Sequence, residues 1–80
     1  MSVQFRDNTV TLDGTCSIEE AELLLQHLLA APGAEVDWRT CEWAHTSVIQ
    51  ILLASKSVLI GPPRGAFLRD FIEPALLARK

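Results

Sequence analysis

Eighty residues with 49% apolar and 21% charged side chains make one small domain, residues 1–80, and exclude intrinsic disorder. Folding hides only about 60–65% of the surface of so short a chain, and no apolar run approaches the roughly 20 residues of a bilayer span. A net charge of −3, from 7 basic and 10 acidic residues, lacks the basic footprint of a nucleic-acid binder. The charge is uneven: residues 1–45 hold two basic and eight acidic side chains, residues 46–80 five and two. Either the acids decorate one helix and the bases another, or the asymmetry steers a charged partner to one side. Met1–Arg6 has neither the basic start nor the apolar stretch of a signal peptide, so a soluble, cytoplasmic protein is expected. Without a secretory signal, Cys16 and Cys41 are not a disulfide framework; they read as small, reduced loop residues.

Val3 and Phe5 alternate with Gln4 and Arg6, Asp7-Asn8 makes a turn, and Val10 and Leu12 alternate with Thr9, Thr11 and Asp13. This predicts a β-hairpin that ends in a loop at Gly14. The period then changes. Ser17 with Glu20 is a capping box, and Ile18, Ala21, Leu24, Leu25, Leu28 and Leu29 form one apolar stripe, so a helix runs to Pro32-Gly33. His27 falls opposite that stripe and is expected in solvent; Leu23 lies off it. Ala34, Val36 and Trp38 alternate with Glu35, Asp37 and Arg39 as a third strand, followed by a loop from Thr40 to His45.

A second, nearly all-apolar and therefore central helix is expected from Thr46 or Ser47, with Ser47 and Gln50 as a second capping box. Val58-Leu59-Ile60 reads as a short fourth strand ended by Gly61-Pro62-Pro63. Phe67, Leu68, Phe71 and Ile72 open a third helix, which kinks or restarts at Pro74. The order is α/β, with parallel strands after the hairpin. Clean alternation in the early strands leaves the sheet one wet face. The fold class is therefore a two-layer, four-stranded mixed sheet with helices on one face, joined by right-handed crossovers.

In open α/β sheets ligands meet the C-terminal strand ends. That edge collects Cys16 and Ser17, then Cys41 through Ser47, then Pro62 to Arg64. Cys16, Cys41 and His45 lack a C-x-x-C pair and number three where structural zinc takes four ligands, so no metal is expected. A Cys–His nucleophile pair has no third group to orient it and no Gly-rich oxyanion loop. Phosphate-loop and dinucleotide fingerprints are absent. The expectation is a non-enzymatic protein without cofactor. Thr46 and Ser47 either cap a helix or carry a phosphate at its electropositive end, where about −1.5 to −2 charge units would be felt by a docked partner. Trp43 is an anchor candidate or part of the core. His45 is a capping loop histidine or a phosphotransfer site.

The stretch Val36-Asp37-Trp38-Arg39-Thr40-Cys41-Glu42-Trp43-Ala44-His45-Thr46-Ser47-Val48-Ile49-Gln50-Ile51-Leu52-Leu53 resembles the signature of STAS domains, the sulfate-transporter and anti-sigma-factor-antagonist module. In that family a strand with a polar end leads through a short loop to Asp-Ser-Ser-Gly-Leu at a helix start. Asp37 and the spacing to His45-Thr46-Ser47 match, and so do Leu12-Asp13-Gly14 and the helix from Ser17. His45 stands where the family has Asp, and Val48 where it has Gly. The resemblance implies a protein–protein module of bacterial signalling, bound by a serine/threonine-kinase-type anti-sigma factor and released by phosphorylation at Thr46, with Ser47 as its neighbour. It places partner contacts on Cys41, Glu42, Trp43, His45, Thr46, Ser47 and Gln50. Two other roles stay open. One is an accessory STAS subunit of a lipid-transport ABC ATPase, without membrane insertion of its own; the other is a small-ligand or nucleotide sensor.

Overall fold

The hairpin turn is set by two residues in the left-handed region. Asp7 and Asn8 have φ of 53° and 62°, the geometry of a two-residue turn whose twist matches its strands. It joins β1 (Val3–Arg6) to β2 (Thr9–Cys16), which pair antiparallel. The structure is a computed structural model and describes residues 3–78; Arg79 and Lys80 of the basic half lie outside the described residues. After β2 come α1 (Ile18–Ala30), β3 (Glu35–Ala44), α2 (Thr46–Ser55) and β4 (Leu59–Ile60). A π-helical turn over Leu68–Ile72 then runs into α3 (Glu73–Leu77). The sheet order is β1-β2-β3-β4, with β2, β3 and β4 parallel.

Helices cover one face, as the alternation requires. Val10, Leu12, Val36 and Trp38 from the sheet pack with Leu24, Leu28, Val48, Leu52, Leu68 and Leu76 from the helical layer, all buried. Removing these side chains from water is the main force that holds so small a domain. Thr9, Thr11, Asp13, Glu35, Asp37 and Arg39 line the opposite, polar face.

Three expectations about the strands change. Gly14 is not in a loop: it sits inside β2, opposite Cys41, with φ of +65°, a conformation that glycine adopts at no steric cost. Nor is Thr40 to Ala44 a loop, since β3 continues through it. Two register shifts hide that strand from its sequence. Trp38 and Arg39 together face Leu12, and Glu42 is an extra residue between the Gly14–Cys41 and Thr15–Trp43 pairs. Each bulge adds one residue to the period of two, so the buried positions run 36, 38, 41, 44. Asp37 supports the first bulge, accepting the Arg39 amide at 3.1 Å and its guanidinium at 3.1 and 2.8 Å. Val58 precedes β4 and contributes its carbonyl to the Val36 amide, at 2.8 Å.

The helices also refine the reading. Of the apolar stripe on α1, only Ala21, Leu24 and Leu28 are buried; Ile18, Leu25 and Leu29 are exposed, while Leu23 packs against the core. His27 is not free in solvent but stacks on Phe5, with ring centroids 5.1 Å apart and planes 15° from parallel. Phe5 shares the helix-covered face with Val3, opposite Val10, but lies at its edge and is 41% exposed. In the last helix, Glu73 donates its amide to the Leu68 carbonyl, five residues back. The widened turn lies just before Pro74, which has no amide to continue an α-helical ladder.

Candidate functional site

The parallel strand ends bring together the start of α2, the bulged end of β3 and the segment after β4. Chain direction explains the meeting: His45 donates its amide to the Cys16 carbonyl at 2.8 Å, tying the entry to α2 onto the end of β2. On the far side of β3, the Gly65 amide donates to the Cys41 carbonyl at 3.1 Å, and Arg64 pairs with Glu42 at 3.5 Å. A side-chain carbon on Gly65 would collide with the Glu42 carbonyl. Only a glycine lets the two backbones come so close.

α2 is capped by His45, not by the expected pairing of Ser47 with Gln50. The Ser47 amide donates to His45 Nδ1 at 3.0 Å, and Ser47 Oγ lies 2.8 Å from the same nitrogen. Because the amide can only donate, Nδ1 carries the lone pair, the ring proton is on Nε2, and the Ser47 hydroxyl donates as well. The carbonyl of His45 accepts from Val48 at 2.9 Å and Ile49 at 3.4 Å. Three of the first four amides of α2 therefore have partners before any ligand arrives.

The α1 start differs again: Ser17 Oγ bonds to Glu19 at 3.2 Å, and no side chain caps the helix. The Ser17–Glu20 capping box is not formed.

The predicted site residues separate into buried and open groups. Cys41 is fully buried and turns its side chain to the core. Glu42 is exposed on the Arg64 side. Trp43 is 48% exposed and stands edge-on to the His45 ring, centroids 6.5 Å apart. Thr46, the first residue of α2, is exposed, and Ser47 is half-buried. Ser47 and Gln50 also line an apolar groove of about 490 Å³ between α1 and α2, together with Leu25, Leu28, Leu29 and Ile51. Residues 47, 50, 51 and 54 lie on one helical face, turned toward α1 while Val48 and Leu52 face the sheet. Sequence reasoning missed this groove, although its signal was present: Leu25 and Leu29 are more apolar side chains than one buried face of α1 needs.

Among the described residues no three His, Cys, Asp or Glu side chains gather to hold a metal ion. No helix among them is long and apolar enough to cross a membrane. Comparisons with protein families, curated proteins and solved structures find no match to this chain.

Proposed function

We propose that this chain is a non-enzymatic, STAS-like docking module of bacterial signalling that acts in the cytoplasm. A protein partner would lay an apolar element into the α1–α2 groove and reach the start of α2. The observation that carries this reading is the groove itself: a cavity of about 490 Å³ with a mostly apolar lining, opening beside Ser47 and Gln50. The element order, and the placement of His45-Thr46-Ser47 where a parallel strand hands over to a helix, support the resemblance to the family. Trp43, exposed next to His45, supplies an aromatic anchor at the rim.

Phosphorylation of Thr46 would work on the partner more than on the fold. Its hydroxyl is exposed, and most first-turn amides are already bonded, so the added charge finds few new donors within the chain. A partner covering it would have to desolvate that charge or repel it. A kinase-type anti-sigma factor is the partner class the resemblance favours.

The test is affinity capture from the source cells with the native chain, Thr46→Glu, Gln50→Arg and, as a control on another face, Asp70→Ala. One partner should bind the native chain and the control, and drop at least tenfold with the other two. Equal capture by all four would remove the reading. A transport ATPase captured with unmodified Thr46 would replace the phosphoswitch with the scaffold role.

A further inference from the structure

Helix α2 begins on an acceptor that a proton can remove. Its cap is the Nδ1 lone pair of His45, which takes the Ser47 amide at 3.0 Å while Ser47 Oγ lies 2.8 Å away. A proton on Nδ1 uses up that lone pair. The Ser47 hydroxyl can turn round and accept from the new N–H, but the Ser47 amide only donates and loses its partner. The imidazolium charge then stands at the positive end of the helix dipole. α1 carries Glu19 and Glu20 in its first turn, whereas α2 has no acidic residue there to offset such a charge.

The neighbouring elements offer the charged ring no partner. Trp43 of β3 meets it edge-on, the Cys16 carbonyl of β2 holds the His45 amide, and Ser47 of α2 faces Nδ1. The Cys16 thiol is buried in the core. The charged groups of the adjoining elements are Asp13 of β2, Glu19 and Glu20 of α1, and Glu42 of β3, which pairs with Arg64. Among the described residues no carboxylate lies within ion-pair distance of His45.

We propose that His45 is a proton-operated cap: the neutral ring fixes the start of α2, and protonation releases Ser47 and loosens that end of the α1–α2 groove, which Ser47 lines. Histidine is the side chain that ordinarily changes charge between about pH 5 and 8. The stability contributed by the cap is present while the ring is neutral and is lost as pH falls. The consequence for docking rests on the groove reading above; the switch itself belongs to the isolated chain and is measured there, so it stands or falls without a partner.

Nuclear magnetic resonance on the native chain reads the cap directly. At pH 8 the ring should carry its proton on Nε2 and none on Nδ1, and between pH 8 and pH 5 the Ser47 amide should shift with the same midpoint as the His45 ring. Thermal melting then compares the native chain with His45→Asn, a capping residue that does not titrate in this range. His27 is present in both chains, so its own titration cancels. The two should melt together at pH 8, and the native chain roughly 4 °C lower at pH 5, the shift that losing one cap gives a domain of this size. A proton on Nδ1 at pH 8, or a Ser47 amide that ignores the ring, would overturn the cap. A melting difference that stays constant with pH would overturn the switch. If His45→Asn does not fold, the two resonance measurements on the native chain decide alone.

Discussion

Helices α1 and α2 both begin where a parallel strand ends, after Cys16 and after Ala44, yet their first turns are secured by different means. α1 has Ser at the capping position and Glu19 and Glu20 in its first turn, so carboxylates compensate the helix dipole while Ser17 turns to Glu19. α2 has no acidic residue in its first turn and depends on the ring nitrogen of His45. A favourable residue type is therefore not a cap until its side chain meets the amides. The α1 start rests on charge spread over the surface, and the α2 start on one directed hydrogen bond.

That contrast can be tested from its strongest point downward. Gly65→Ala forces a methyl group into the Glu42 backbone beside α2 and should cost about 2–3 kcal/mol, the scale of an overpacked site. Chemical denaturation measures it. A variant within error of the native midpoint would show that the strand end next to α2 is not tightly held.

His45→Ala removes the only side-chain cap on α2 and should cost about 1 kcal/mol, whereas His45→Asp should recover it, because a carboxylate accepts the same amides and complements the dipole. Equal losses for both would mean that the ring matters for packing against Trp43 and not for capping. Ser17→Ala, the matching change at α1, should stay within about 0.5 kcal/mol of the native protein. A loss equal to that of His45→Ala would erase the difference between the two starts.

The smallest effect belongs to the polar face. Arg39, donating two side-chain hydrogen bonds, holds the Asp37 carboxyl below its ordinary range. A carboxyl whose native value is lowered stabilises the fold above its unfolded value, near 4, and loses that contribution as pH falls through the native value. Asp37→Asn should therefore lower the melting temperature slightly at pH 7 and converge on the native protein near pH 2. A difference that persists in acid would point to the backbone bond from Arg39, not to charge.

Much of this fold is legible in the sequence because one side chain period governs each element. Val3 to Leu12 alternates and turns at Asp7-Asn8, Ala21, Leu24 and Leu28 recur at helical spacing, and Pro74 marks the last restart. The end of β3 resisted because its bulges move the buried positions to 36, 38, 41 and 44, a spacing that fits neither template. For the candidate site, the edge and most of its residues were legible, since strand ends and helix starts are local features. The turning of Cys41 into the core was not, because the bulge at Glu42 decides it.

By itself the sequence determined the element order, the polar and apolar faces of the sheet, and the place where α2 begins. These follow from patterns within a few residues of each other. Only the tertiary structure decided that His45 caps α2, that Gly65 closes on Glu42, and that α1 and α2 leave a groove between them. Each of those depends on two segments far apart in the chain reaching one place, or on the exact direction of a side chain, and neither is encoded in local periodicity.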